Sequence, residues 1–81
     1  MKIFYDNNVD TLYIYRNNDN YYGCQDGDYI ELKSQLDNKV CGYIILNYSQ
    51  HIEDGSITKM KWTGVDFVTD VAPEIIKIKK K

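Results

Sequence analysis

The chain has 81 residues, of which 43% are hydrophobic and 27% are charged, and its net charge is −2. This composition excludes a disordered tract, and the length allows one small domain. The mildly acidic balance argues against general nucleic-acid binding, which needs a basic surface. No apolar run is long enough to span a membrane and no signal-peptide pattern follows Met1. We therefore expect a cytoplasmic protein whose cysteines are reduced.

The first third of the sequence predicts short β-strands that are separated by polar turns. Residues 2–5 and 11–15 are rich in the β-branched and aromatic side chains that favour strands, and the Asn- and Asp-rich residues 6–10 favour a turn. Residues 21–25 begin or approach a third strand. Residues 26–27 then form a turn or a bulge before the next strand.

The centre of the sequence predicts a β-hairpin, formed by residues 28–33 and 39–46 around a polar connection. In the first of these runs Ile30 and Leu32 alternate with polar residues, which is typical of a strand with one buried side. The second run ends in continuous apolar and aromatic residues, from Tyr43 to Leu46. Such a strand is covered on both faces, and we expect it to lie in the middle of the sheet.

The pattern changes after Leu46. Residues 47–55 predict a short helix that begins at Asn47 or Ser49 and stops at Gly55. Residues 57–71 predict one or two further strands, and residues 74–79 form either a terminal edge strand, which their alternation favours, or a helix that starts at Pro73. The expected fold is mainly β (α+β): an antiparallel β-meander of about four strands, one short helix and a β-rich C-terminal extension. We expect one domain, with the sheet and helix in residues 1–55 and the extension in residues 56–81.

A motif in the first two thirds of the chain resembles a known family. It runs Tyr5-Asp6-x3-Asp10-x-Leu12-Tyr13-Ile14, followed by Ile30-x-Leu32, Gly42 and Ile45-Leu46-x-x-Ser49. This pattern is similar to that of very small prokaryotic proteins known only as a domain of unknown function. The resemblance implies a compact antiparallel sheet with a helix after the fourth strand. Members are often encoded beside small toxin-like proteins, which implies an antitoxin-like role, and the family brings no catalytic residues.

Three positions depart from the family pattern by being apolar or aromatic where the family is usually polar: Phe4, Tyr15 and Ile44. Their parity along the strands is opposite to that of Ile3 and Leu12, so we expect them together on the second face of the sheet. An extended apolar face on a small protein needs a cover. Either the C-terminal extension covers it, through Trp62, Val65, Phe67 and Val68, or the face is an interface with a second copy or with another protein.

The sequence contains eight tyrosines, a residue type that is enriched where proteins bind partners. Base stacking would require these rings to alternate with basic residues, but Arg16 is the only arginine, and the basic residues 77–81 are more simply solvated. Protein contact therefore suits the tyrosines better than nucleic acid does. The candidate protein-binding residues are Phe4, Tyr13, Tyr15, Tyr43 and Ile44.

No constellation of residues in the sequence predicts catalysis. The single histidine, His51, would need Cys24 or Cys41 beside it to form a nucleophile pair, and Cys41 is more simply a small core residue. These three residues are also too few for a structural zinc site. The closely spaced aspartates Asp6 with Asp10, and Asp26 with Asp28, are better explained as turn caps than as acid–base or calcium-binding pairs. We therefore predict no catalytic residue, no metal and no cofactor.

The sequence predicts a non-enzymatic protein-binding module that blocks a larger protein. The antitoxin-like version of this hypothesis rests on the family resemblance. The neighbouring version is a phage inhibitor of a bacterial defence system, which the small size and tyrosine-rich surface favour. A homodimer is compatible with either version. The alternative is a homo-oligomer that binds a small ligand of the nucleotide type between its subunits.

Overall fold

The computed structural model describes residues 2–15, 20–63 and 66–73, which form one open five-stranded antiparallel sheet with a short α-helix. The elements are β1 (Lys2–Asp6), β2 (Thr11–Tyr15), β3 (Tyr21–Asp26), β4 (Tyr29–Ser34), β5 (Val40–Ile45) and α1 (Tyr48–Glu53). The mainly β class and the helix after the hairpin are confirmed. There are five strands rather than four because a turn at Gly27 and Asp28 separates β3 from β4. Gly27 adopts φ 63°, which glycine reaches without steric cost.

The strand order is β1-β2-β5-β4-β3, so the sheet is not a simple meander. A β1–β2 hairpin is joined to a β3-β4-β5 meander through antiparallel pairing of β2 with β5. The predicted β4–β5 hairpin and the central position of β5 are confirmed. Gly42 in β5 permits a close approach to β2, because a Cβ at this position would collide with the Ile14 carbonyl oxygen and lie 2.9 Å from the Tyr15 Cα.

The hydrophobic core lies on one side of the sheet, which we call the inner face. Leu12, Ile14, Tyr43 and Ile45 project from β2 and β5 onto this face and are fully buried. The cover comes from α1 and from the segments that follow it. The core residues that these parts contribute are Tyr48, Ile57 and Val71, with Ile52, Met60, Trp62 and Phe67 packed against them.

The strands predicted between residues 57 and 71 are absent from the described part of that segment. It forms instead a 3₁₀ turn (Ser56–Lys59), residues 60–63 without regular structure, and a π-helical turn (Phe67–Val71). Its apolar side chains cover the sheet rather than extend it: the Trp62 ring centroid lies 5.1 Å from that of Tyr43 and 6.2 Å from that of Tyr29. The predicted terminal strand at residues 74–79 lies outside the described residues.

Of the two covers that the sequence left open for the second face, the C-terminal extension does not supply its aromatic residues there. Trp62 packs on the inner face against Tyr43, and Phe67 stacks beside it with ring centroids 5.1 Å apart. Val68 is 75% exposed, and Val65 lies outside the described residues. This alternative fails for Trp62 and Phe67 because the inner face itself needs their bulk, since α1 has only six residues and covers little of the sheet.

The start of α1 is capped by the β1–β2 turn rather than by Asn47 or Ser49. Asn47 occupies the cap position with φ 52°, but its side chain makes no capping hydrogen bond. Instead Asp10 accepts hydrogen bonds from the first turn of the helix. Its backbone carbonyl accepts from the Tyr48 amide at 2.9 Å. Its carboxylate accepts from the Ser49 amide at 3.0 Å and from the Ser49 hydroxyl at 2.6 Å. The Tyr5 hydroxyl also donates to this carboxylate, at 2.7 Å. The helix ends as predicted, with Gly55 at φ 76° two residues after its last turn.

We expect Asp10→Ala to lower the free energy of unfolding by about 1–2 kcal/mol at pH 7, the usual loss for a helix N-cap. The hydrogen bonds from Ser49 and then Tyr5 lower the pKa of Asp10. Because this pKa is lower in the folded protein than in the unfolded chain, ionised Asp10 stabilises the fold at pH values above its unfolded-state pKa of about 4. The stabilisation is lost as the pH falls through the pKa of Asp10 in the folded protein. Urea unfolding at pH 7 and at pH 2–3 should therefore show the difference from wild type shrinking in acid. Asp26→Ala, at an exposed position in β3, is the control and should change the free energy of unfolding by less than about 0.5 kcal/mol. An equal loss for Asp10→Ala at both pH values would contradict the capping role of Asp10.

Candidate protein-binding surface

The second face of the sheet, which we call the outer face, carries a row of large side chains across four strands. Phe4 of β1 pairs with Tyr13 of β2, Tyr13 pairs with Ile44 of β5, and Ile44 pairs with Ile30 of β4. Neighbouring strands lie about 4.8 Å apart, so the row extends for roughly 14 Å across the sheet. The Phe4 and Tyr13 rings stack with centroids 6.0 Å apart.

The row is accessible in the described structure. Phe4 is 55% exposed, and Tyr13, Ile30 and Ile44 are partly exposed. Tyr15 lies two pairs further along β2, opposite Gly42, and is also partly exposed. The structure thus brings four of the five predicted protein-binding residues together on one face. These four are Phe4, Tyr13, Tyr15 and Ile44.

The fifth predicted residue, Tyr43, does not belong to this surface. Its side chain lies on the inner face, is fully buried, and stacks on Tyr29 with ring centroids 5.2 Å apart. Its hydroxyl donates to the Thr63 carbonyl oxygen. Burial raises the pKa of Tyr43, so the hydroxyl keeps its proton at neutral pH. Tyr43 was chosen as an aromatic residue of β5, although its parity is opposite to that of Ile44 and places it on the inner face.

Ile30 belongs to the outer row but was missed by the sequence prediction. The alternation in β4 is as expected, and Leu32 is buried as predicted. Ile30 lies with Leu32 on the outer face, whereas Tyr29, Glu31 and Lys33 share the inner side, where Tyr29 stacks on Tyr43 and touches the edge of Trp62. The pairing of Ile30 with Ile44 identifies Ile30 as an outer residue, but the sequence alone does not reveal the register between β4 and β5.

A second cluster of polar residues links three segments near the C-terminal end of α1. His51 Nδ1 lies 2.6 Å from the Ser56 hydroxyl, and His51 Nε2 lies 3.1 Å from Asp28 Oδ2. The same Asp28 oxygen accepts from the Asn47 side chain at 3.2 Å. The order of serine, histidine and aspartate matches that of hydrolase triads, in which the histidine activates the hydroxyl. The Ser56 amide, however, donates to Asp54 Oδ1 at 2.8 Å and is not available as an oxyanion donor.

The arrangement of His51 is therefore better explained as a structural link between the β3–β4 turn, the helix and the 3₁₀ turn. The sequence analysis weighed His51 only against the cysteines, rejected that pair, and missed this link because Asp28 is 23 residues away in the chain. Cys24 is exposed in β3, Cys41 is buried in β5, and no disulfide joins them. Among the described residues, no three side chains of the metal-binding types converge on one point.

We expect His51→Ala to lower the free energy of unfolding by about 1–2 kcal/mol, since two side-chain hydrogen bonds are lost. Ser56→Ala removes one of the two and should cost roughly half as much. The measurement is thermal or urea unfolding at pH 7, with Gln50→Ala on the exposed side of the same helix as the control. If neither variant differed from the Gln50→Ala control, the link would contribute nothing to the fold.

An open cleft of about 520 Å³ lies beside β4 and β5 and concentrates basic side chains. Its lining includes three lysines, Lys33, Lys39 and Lys61, together with Glu31 and the polar residues Asn38 and Thr63. Lys33 lies 3.6 Å from the Glu31 carboxylate, which offsets part of the positive charge. The cleft was not predicted, because the three lysines come from separate segments of an acidic chain.

Comparison of the chain with models of protein families, with curated proteins and with solved structures gave no match. The resemblance to the family of very small prokaryotic proteins therefore stays a prediction that rests on its motif. The helices formed by the described residues are too short and too polar for any of them to cross a membrane.

Proposed function

We propose that the chain is a non-enzymatic protein-binding module whose outer face docks on a larger protein and blocks it. The observation that carries the proposal is the exposed row of Phe4, Tyr13, Ile44 and Ile30, with Tyr15 beside it. Aromatic residues with partial exposure are the side chains that dominate the energetics of protein interfaces. The antitoxin-like version of this function rests on the motif resemblance, and a phage inhibitor of a bacterial defence system uses the same surface.

The energetics of the outer face support docking. Burying one phenylalanine side chain that was exposed is worth about 1.5–3 kcal/mol, and the row holds several large side chains of this kind. A small domain is stable by only about 5–15 kcal/mol in total. An accessible surface with this much apolar area is therefore a considerable cost to solubility unless a partner covers it. The expected partner has an apolar patch that contacts the row, surrounded by polar groups that can form hydrogen bonds with the tyrosine hydroxyls.

We expect Phe4→Asp to weaken binding of the partner at least tenfold while the domain stays folded. The exposed position of Phe4 tolerates the substitution, but a buried charge in the complex is costly. The partner is first retained by tagged wild-type protein in its native type of host and identified by mass spectrometry. Affinity is then measured with purified components, and circular dichroism reports the fold.

Val68→Asp is the matched control, since Val68 is an exposed apolar residue on the segment that covers the inner face. This variant should bind as wild type does. A Phe4→Asp protein that unfolds would show that the outer face is part of the core. A folded Phe4→Asp protein with unchanged affinity would show that the row is not the docking surface.

The cleft with three lysines favours the second candidate function, binding of a small phosphate-bearing ligand of the nucleotide type. Its volume is in the range of small-molecule sites, about 300–1,000 Å³. In the described structure neither Lys39 nor Lys61 forms a salt bridge, so both ammonium groups can contact phosphate oxygens. Because the cleft is open, a second subunit would be needed to enclose the ligand.

This candidate predicts that ATP binds wild-type protein and that the double variant Lys39→Met/Lys61→Met binds it at least tenfold more weakly. Isothermal titration at low salt measures both affinities, because lysine–phosphate attraction is screened by salt. Lys59→Met, at an exposed lysine outside the cleft, is the control and should keep the wild-type affinity. Equal affinity of the double variant and wild type would exclude the cleft as the phosphate site.

A further inference from the structure

The outermost strand of the described sheet, β3, has one edge without a pairing partner. All six of its residues, Tyr21 to Asp26, are exposed, and among the described residues only β4 pairs with it. Natural proteins block such edges with lysine, proline or a bulge, because free backbone groups recruit another strand. β3 contains neither lysine nor proline, and its register with β4 runs without interruption from Tyr21 to Asp26. The opposite edge strand, β1, carries charged residues at Lys2 and Asp6.

The hydrogen bonds around β4 determine which backbone groups of β3 point outward. The Asp28 carbonyl accepts from the Leu46 amide at 2.8 Å and so points away from β3. Backbone groups alternate in direction along a strand, so the next residue, Tyr29, and every second residue after it bond to β3. Their partners in β3 are Asp26, Cys24 and Tyr22. The remaining residues, Tyr21, Gly23 and Gln25, therefore direct their amides and carbonyls to the open edge.

We propose that β3 pairs with β3 of a second copy of this chain, antiparallel and about a two-fold axis at Gly23. The three residues with outward backbone groups are spaced evenly around Gly23, so they match themselves under this rotation. Gly23 then lies opposite Gly23 of the second copy, and Tyr21 lies opposite Gln25. The two sheets join into one continuous antiparallel sheet of ten strands.

The charges and side chains of β3 fit a second copy in this register. The only charged residue of the strand, Asp26, lies opposite Asn20 of the second copy, so no like charges meet across the axis. Tyr21 and Tyr22 are 41% and 38% exposed, and each gains a neighbour on the new strand. Gly23 carries no side chain at the axis, so no two side chains have to share the space beside it. Because the pairing uses backbone groups at the edge, it is independent of the outer row.

The first experiment measures the molar mass in solution by light scattering as the concentration is raised to about 1 mM. Wild type should approach twice the 9.5 kDa of one chain. Gln25→Pro should stay monomeric, because proline removes an outward amide and leaves the bonds between β3 and β4 intact. Gln25→Thr, which keeps the amide, should dimerise as wild type does. A monomeric wild type, or a Gln25→Pro protein that still dimerises, would overturn the proposal.

The second experiment tests the register and does not depend on the folding of the proline variant. In the proposed pairing residue 22 lies opposite Cys24 of the second copy in a pair without hydrogen bonds, where the Cα atoms are about 4.5 Å apart and a disulfide fits. Tyr22→Cys should therefore give a dimer linked by two disulfides when oxidised glutathione takes up the electrons and protons of the thiols. Tyr22→Cys combined with Cys24→Ser is the control and should give a much smaller covalent fraction. Equal cross-linking in both proteins would contradict the register centred on Gly23.

Discussion

The pairing of β2 with β5 holds the molecule together. The β1–β2 hairpin and the β3-β4-β5 meander are each local in sequence, and this antiparallel contact joins them into one sheet. It also places the four fully buried side chains of the two strands side by side on the inner face. Gly42 is the position on which the contact depends, since any side chain there would collide with the backbone of β2. The outer row exists for the same reason, because the register that aligns Leu12 with Ile45 also aligns Tyr13 with Ile44.

Two aspartates attach the helix to this sheet at points far apart in the sequence. Asp10 caps the first turn of α1 from the β1–β2 turn, while Asp28 holds His51 from the β3–β4 turn. A helix of six residues is too short to be stable alone, so these contacts and the burial of Tyr48 replace the stability that length would supply. The aspartates that the sequence predicted as turn caps thus also cap or anchor elements from other parts of the chain. Ser49, the only serine of the helix, donates to Asp10, and His51, its only histidine, contacts Asp28.

The parts of the fold that depend on local sequence were predictable, and the parts that depend on distant pairing were not. Alternation and turn residues located β1, β2, the β4–β5 hairpin and the helix. They could not show that β5 inserts beside β2, because that pairing joins residues about 30 positions apart. The apolar residues after the helix have the composition of strands, but they serve as a cover, and composition does not distinguish the two uses. Parity placed Phe4, Tyr15 and Ile44 on one face correctly, and the same parity puts Tyr43 on the opposite face, a consequence that the choice of Tyr43 as a binding residue overlooked. In β4 the alternation was predicted, but not that the side of Tyr29 faces the core.

The outer face and the open edge of β3 meet at one residue, and this connects the two proposals. The outer row continues from Ile30 to its partner Gln25 in β3, whose amide and carbonyl point to the open edge. When a second copy pairs there, Gln25 lies opposite Tyr21 of that copy, whose own partner in β4 is Ser34, so the two rows lie on the same face with an offset of four residues. The dimer then carries two copies of the proposed docking surface, related by the two-fold axis. A symmetric surface binds most tightly to a partner that is itself a dimer, because the second contact is made at a high effective concentration. If both proposals hold, the edge strand thereby determines the kind of target that the outer face is suited to block.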